Sequence, residues 1–177
     1  MELDYVIEWF RFADSDLASA DYLQGMFPKP IEIICYHCQQ SVEKFLKGYL
    51  IFNGINEPPK THNLVELCES AAKFEKSFQE IAQICGILTR YGVLSRYPRE
   101  LEISESDIKN AINYARQIRD FKPLREVRIK ISTREGLTTD LDPFYSSTNM
   151  ERLKKAIADA NAGRNMTEHE LIEVDDD

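Results

Sequence analysis

Residues 31–52 carry the pattern that most constrains the fold, because apolar and polar side chains each recur there at steps of three and four. The apolar members are Ile31, Ile34, Cys35, Cys38, Val42, Phe45, Leu46 and Tyr49. This spacing predicts a long α-helix with one side in a core. A polar row with the same period comprises His37, Gln40, Lys44 and Lys47, with Glu43 beside it. Such a row of imidazole, amide and ammonium groups predicts either a docking site for an anionic ligand or a partner, or a solvated helix face.

The same period recurs through the first 123 residues, and no stretch before Phe121 alternates with period two. Five helices are expected, at residues 3–24, 31–52, 64–75, 78–95 and from about 105 onward. Short connections join them, which predicts an all-α, up-and-down antiparallel bundle.

Capping signals mark several helix ends. Asn53-Gly54 is typical of a left-handed helix end, and Asn63 with Glu66 predicts a capped start for the third helix. The run Ser104-Glu-Ser-Asp107 is a capping box ahead of the fifth helix.

The sequence changes character after Pro123. Val127, Ile129 and Ile131 alternate with polar residues, which is compatible with one short strand that would need a partner. Three parts are therefore predicted: a helical bundle at 1–123, a linker with this strand at 124–147, and a short helix with an acidic tail at 148–177. The tail is too short for a core of its own, so we expect it to be extended or disordered unless it packs on something else.

Charge and hydropathy exclude some classes of protein. The 177 residues carry a net charge of −8. Lys and Arg number 14 against 18 Asp and Glu in residues 1–123, and 8 against 12 in residues 124–177. Neither part has the basic excess that holds nucleic acid through its phosphates alone. The longest apolar runs fall short of the ~18 residues that span a bilayer, and the acidic N-terminus differs from a secretory signal. We therefore expect a cytoplasmic protein without membrane contact.

The pair Cys35-x-x-Cys38 raises the question of a metal or redox site. No second CxxC or HxxxH supplies further ligands, and both positions belong to the apolar stripe of their helix. Buried thiols are the favoured interpretation, and no metal or cofactor is expected.

Residues 1–123 resemble the HEPN domain family. The likeness is carried by Tyr36–Lys47 (YHCQQSVEKFLK), Thr61–Leu64 (THNL) and Arg96–Pro98 (RYP). The resemblance implies a bundle that forms a homodimer and is often encoded beside, or fused to, a minimal nucleotidyltransferase.

Many members of that family are metal-independent RNases whose motif is Arg, four to six residues, then His. Histidine can exchange a proton with the ribose 2′-hydroxyl while arginine stabilises charge on the phosphate. No histidine follows Arg90, Arg96 or Arg99 before His169, so the motif is absent from residues 1–123. No catalytic residue is predicted, and the enzyme alternative would need His37 or His62 together with Arg90 or Arg96 in a rearranged site.

A binding role agrees better with the polar residues that match the family. Lysines and arginines could contact phosphates, and tyrosines could stack on a base. The ligand-binding candidates are His37, Gln40, Glu43, Lys44, Lys47, His62, Arg90, Tyr91, Arg96 and Tyr97. Purely structural roles remain open: His62 could set a turn, Arg96 could bond helix-end carbonyls, and Glu43 with Lys47 could be an i,i+4 pair.

The tail resembles the C-terminal half of Phd/YefM-type antitoxins, from Asp142–Leu153, Gly163 and Glu168–Glu173. That likeness implies a segment that folds onto a RelE-like or YoeB-like toxin. The residues expected to touch such a partner are Phe144, Tyr145, Met150, Leu153, Ile157, Leu171 and Ile172. A disordered acidic tail with chance similarity is the alternative.

Taken together, these patterns favour a non-catalytic HEPN-domain protein that binds a nucleotide or a partner protein, in a nucleotidyltransferase or toxin–antitoxin setting. The alternatives are an antitoxin that acts through its tail and a ribonuclease with a non-standard site.

Overall fold

The computed structural model of the protein describes residues 2–94 and 103–135, together with Lys155. The chain divides into two units, residues 1–136 and 137–177, and all described helices belong to the first. They are α1 (Glu2–Leu23), α2 (Ile31–Phe52), α3 (Leu64–Ala72), a 3₁₀ helix (Lys76–Ile81), α4 (Ala82–Thr89), α5 (Tyr91–Leu94), α6 (Glu105–Arg119) and α7 (Lys122–Glu135). The predicted all-α bundle is confirmed in this part of the chain.

Helices α1 and α2 form the antiparallel pair on which the bundle is built. Phe10 of α1 packs edge-on against Phe45, with ring centres 5.5 Å apart. Val42, Phe45 and Leu46 are fully buried. The apolar spacing of α2 therefore placed its core side correctly, because the stripe is continuous over six turns.

The predicted helix ends at Asn63, Ser104 and Gly54 are confirmed. Asn63 accepts the Val65 N–H at 3.0 Å and donates to Glu66 at 3.1 Å. The Ser104 N–H donates to Asp107 Oδ2 at 3.0 Å. Gly54 has φ of +89°, a value that L side chains rarely adopt, and its N–H donates to the Ile51 carbonyl at 2.9 Å.

The predicted fourth helix, residues 78–95, is divided into shorter pieces. Glu75 accepts the Ser77 N–H at 3.2 Å, and this side-chain cap starts a 3₁₀ turn at Lys76. Helix α4 follows and ends at Thr89, whose hydroxyl donates to the Cys85 carbonyl and accepts the Leu64 N–H. Local side-chain bonds to the backbone thus compete with one continuous helix.

The short strand predicted around residues 125–133 is wrong, because Lys122–Glu135 is helix α7. Leu124, Val127 and Ile131, at steps of three and four, are buried in the core, whereas Ile129 is half exposed. The alternation of Val127, Ile129 and Ile131 concealed this helical period. The predicted linker therefore begins as an element of the bundle, and a boundary at residue 123 would fall inside α7.

Ion pairs join α1 to the later helices. Asp14 takes both terminal nitrogens of Arg128 on α7, at 2.8 and 3.1 Å. Asp21 accepts from Arg116 on α6 at 2.7 Å. Among the described helices, none combines the length and apolar composition that crossing a bilayer requires.

Candidate functional site

The predicted polar row lies on α2 beside α1, where Asp16 acts as its counter-ion. Asp16 accepts a hydrogen bond from Lys44 Nζ through Oδ2, and its Oδ1 lies 3.0 Å from His37 Nδ1. Lys44 also donates to the amide oxygen of Gln40 at 3.3 Å. His37, Gln40 and Lys44 are therefore on one face, as predicted, but the positive charge of Lys44 is neutralised within the fold.

Glu43 is the centre of a second and more deeply buried network. Its Oε1 accepts from Lys47 Nζ at 2.8 Å, and its Oε2 accepts from Gln39 Nε2 at 3.1 Å. His62 Nδ1 lies 3.1 Å from the same Oε2. Burial raises the pKa of the Glu43 carboxyl, but the hydrogen bonds from Lys47, His62 and Gln39 outweigh it and hold the pKa below its ordinary value. Glu43 is therefore an ionised carboxylate inside the protein.

The sequence predicts that the ammonium groups of the row point outward, and for Lys47 this is wrong. Lys47 is 9% exposed and Glu43 only 5%. Gly48 explains the burial, because a Cβ there would lie 2.8 Å from Phe10 Cε2, so α1 packs directly onto this turn of α2. The Trp9 ring, 6.0 Å from Lys47 Nζ, covers the amine. The i,i+4 pair of Glu43 and Lys47 exists, but it is buried.

His62 connects the Glu43 network to the surface. Its side chain is 60% exposed, although Nδ1 faces Glu43. Its backbone carbonyl accepts from Gln39 Nε2 at 3.2 Å, which holds the loop before α3 against α2. A neutral imidazole that donates from Nδ1 to a carboxylate keeps Nε2 as an acceptor. Glu43 thus orients the imidazole ring of His62, whether the ring has a structural role in the loop or contacts a ligand or partner.

Arg90 and Tyr91 belong to a separate cluster around Asp107 of α6. Arg90 Nη2 donates to the Tyr91 hydroxyl at 2.8 Å and to Asp107 Oδ1 at 2.7 Å. The Tyr91 hydroxyl donates to that same Oδ1 at 3.0 Å. Tyr91 is 2% exposed, and burial raises its pKa to about 12. A ring with so little open surface cannot stack on a base, so that predicted role does not fit Tyr91.

Several predicted residues lie outside the described part of the chain. Arg96 and Tyr97 follow α5 in the undescribed segment, and their binding roles stay predictions. The same holds for every residue expected to contact a toxin, which are Phe144, Tyr145, Met150, Leu153, Ile157, Leu171 and Ile172.

Aromatic side chains of α1 flank the polar row. Tyr5 and Trp9 meet edge to face, with ring centres 6.0 Å apart. Phe12 follows on the same side of the helix and is 50% exposed. These residues and their neighbours are here called the α1–α2 face: Tyr5, Trp9, Phe12 and Asp16 of α1 with His37 and Lys44 of α2.

Asp16 and Gln39 were not among the predicted site residues. Asp16 is off the core seam of α1 and looks in sequence like any surface carboxylate. Gln39 is fully buried, and its one detectable signal is the i,i+4 spacing to Glu43. A buried amide needs partners, which is why Gln39 bonds both Glu43 and the His62 carbonyl.

The predicted burial of Cys35 and Cys38 is confirmed, and Cys68 and Cys85 are likewise free and buried. Burial raises the pKa of the Cys35 thiol to about 12, which disfavours the thiolate needed for metal binding or redox chemistry. In residues 2–94 and 103–135, no group of His, Cys, Asp and Glu is arranged to hold a metal ion.

The described residues of the first unit thus form an all-helical bundle with an internal polar network on its second helix. The model of the HEPN domain family matches residues 6–127. The chain belongs to the HEPN domain family, as its sequence motifs indicated. No curated protein and no solved structure matches the chain. The family match ends before the tail, so the likeness to antitoxins has no support from it.

Proposed function

We propose that the protein is a non-catalytic HEPN-domain protein that binds another protein, in the first place a second copy of itself. A nucleotidyltransferase or toxin–antitoxin pair is the proposed setting. The observation that carries this proposal is the internal pairing of the candidate cations. Lys44 is paired with Asp16, Lys47 with Glu43 and Arg90 with Asp107.

Nucleotide binding is the weaker candidate for the same reason. A phosphate would have to draw Lys44 away from Asp16 or Lys47 away from Glu43. Removing one partner of a buried ion pair is costly because the other charge is left unpaired in a poorly solvated place. The phosphate would also meet two carboxylates on this face, which repel it.

The α1–α2 face has the composition of a protein interface. Tyr5 is 46% exposed and Phe12 50%. Aromatic side chains beside satisfied polar groups are typical of the contacts that dominate binding energy. Asp16 and Lys44 are already bonded within the subunit, so docking would not leave these two groups without partners. A second copy would present the same aromatic residues in return, as a two-fold interface requires.

A ribonuclease with a non-standard site is the second candidate, and one observation favours it. His62 is exposed while Glu43 holds its Nδ1, an arrangement that suits proton exchange at Nε2. The amine of Lys47 is bound to that same Glu43, so it is poorly placed to stabilise charge on a phosphate. The absence of an Arg-x4–6-His motif from residues 6–127, which the family model matches, also counts against catalysis.

The proposal is tested by the mass of the purified protein in solution, from sedimentation equilibrium. We expect a dimer for the wild type and a monomer for the double variant Tyr5→Glu, Phe12→Glu. Phe74→Glu is the matched control, since Phe74 is 45% exposed but lies after α3, outside the α1–α2 face. It should remain a dimer. A monomeric wild type, or a double variant that still dimerises, contradicts the proposed interface.

The hypothesis that residues 142–173 act as an antitoxin segment stays a prediction. Co-purification of RelE-like or YoeB-like toxins with the full chain, compared with a chain ending at residue 136, is its direct test. Neutralisation that survives the truncation would show that the tail is not the active segment.

A further inference from the structure

A cavity lies at the end of the bundle where α2 finishes and α7 begins. Its volume is about 350 Å³. Residues from three places line it: the last turn of α2, the segment between α3 and α4, and the first turns of α7. None of the residues of the polar row line it, so the cavity is separate from the α1–α2 face.

The floor of the cavity is aromatic. Tyr49 packs on Phe78, with ring centres 4.5 Å apart, and Phe78 meets Phe121 at 5.2 Å. Phe78 is fully buried, so the rings of Tyr49 and Phe121 pack on a side chain that is held in the core. Phe52 adds a further ring at the end of α2. Rigid aromatic walls of this kind suit a small ligand with an apolar body.

The rim of the cavity is more acidic than basic. Its carboxylates are Glu75, Glu80 and Glu126, against the two amines of Lys122 and Lys130. Lys122 forms an ion pair with Glu126, with Nζ 3.9 Å from Oε1. Glu80 has no ion pair with any residue in the described ranges. The pKa of the Tyr49 phenol is raised, mainly by burial and in addition by the negative charges of Glu75 and Glu126. The rim carboxylates therefore act electrostatically on a residue of the cavity floor.

One further contact favours a positively charged ligand. Lys130 Nζ lies 5.6 Å from the centre of the Phe52 ring. The protein thus already places one ammonium group against an aromatic face of this cavity, which is the contact that a bound cation would make.

We propose that this cavity binds a small organic cation, with its apolar body on Tyr49, Phe52 and Phe121 and its ammonium group facing Glu80 and Glu126. The site is independent of dimerisation and of the α1–α2 face. A variant that no longer dimerises should therefore still bind the cation, and a variant that no longer binds the cation should still dimerise.

Isothermal titration calorimetry tests the site with 2-phenylethylammonium and with its neutral analogue 2-phenylethanol. The cation should bind at one site per chain, and the alcohol about tenfold more weakly because it lacks the charge. The double variant Glu80→Gln, Glu126→Gln should lower the affinity for the cation by about tenfold as well. Both positions are on the rim, so thermal unfolding should match that of the wild type.

Glu32→Gln is the control for a general loss of negative charge. Glu32 is exposed at the first turn of α2, the far end from the cavity, and its variant should bind the cation as the wild type does. Equal binding of cation and alcohol, or equal loss in Glu32→Gln, overturns the assignment to a cation. Absence of binding for both probes overturns the site itself.

Discussion

His62 Nδ1 lies 3.1 Å from Oε2 of Glu43, and this contact joins the loop before α3 to the middle of α2. The same carboxylate also accepts hydrogen bonds from Gln39, one turn earlier on α2, and from Lys47, one turn later. Donors from the loop and from two turns of the helix thus meet a single buried charge. A buried carboxylate with this many hydrogen bonds primarily stabilises the fold. The polar residues of α2 therefore include a buried group that supports the bundle.

Glu43→Ala should lower the free energy of unfolding by about 2–4 kcal/mol, because Lys47 and Gln39 would lose their buried acceptor. Urea unfolding followed by circular dichroism measures the change. Glu8→Ala, at an exposed position of α1, is the control and should stay within about 0.5 kcal/mol of the wild type. A Glu43 variant as stable as this control would mean that the network contributes nothing.

The depressed pKa of Glu43 predicts how stability depends on pH. Because the folded pKa lies below its ordinary value of 4.5, the unfolded state binds this proton more tightly. The contribution is complete above about pH 5 and is lost as pH falls through the folded pKa. Between about pH 5 and pH 3, the free energy of unfolding should fall more steeply for the wild type than for Glu43→Gln. Parallel curves for the two proteins would contradict this assignment.

Leu46→Ala should leave a cavity in the bundle and cost roughly 2–5 kcal/mol of stability, since Leu46 is fully buried. Ile33→Ala removes a similar side chain from the exposed side of the same helix, and there the change should be below about 0.5 kcal/mol. The midpoint of urea unfolding distinguishes the two. Similar losses at both positions would show that the core side of α2 is misplaced.

Gly48→Ala and Gly86→Ala should change stability in opposite directions. A Cβ at position 48 would lie 2.8 Å from Phe10 Cε2 and 3.1 Å from Trp9 Cβ, so α1 must shift, at a cost of about 1–3 kcal/mol. At position 86 the nearest atom is Val65 Cγ2 at 3.8 Å, an ordinary contact. Alanine there should raise the free energy of unfolding by about 0.5–1 kcal/mol through helix propensity. Thermal unfolding of both variants checks this, and stabilisation by Gly48→Ala would contradict the close helix contact.

The fold was predictable because its main signals are local. The apolar stripe of α2 and the caps at Asn63 and Ser104 each need only a few neighbouring residues. Helix α7 was missed because two of its three core residues, Val127 and Ile131, also satisfy a period of two. Sequence spacing alone does not separate these periods over so short a stretch.

The site was less predictable because its decisive contacts join distant parts of the chain. The pattern on α2 identified His37, Gln40 and Lys44 as one face, which the structure confirms. It did not indicate that Asp16, 28 residues earlier, would neutralise Lys44, since both residues are ordinary surface types. It also did not indicate that α1 would cover Lys47, which depends on the close approach at Gly48.

Incubation of the purified protein with RNA tests the central claim, a binding protein without catalysis, most directly. Single-stranded and structured RNA should remain intact over hours at neutral pH, in the wild type and in His37→Ala and His62→Ala alike. Cleavage by the wild type that is lost in His62→Ala, with the fold intact by circular dichroism, would contradict the account and establish a ribonuclease built on His62 and Glu43.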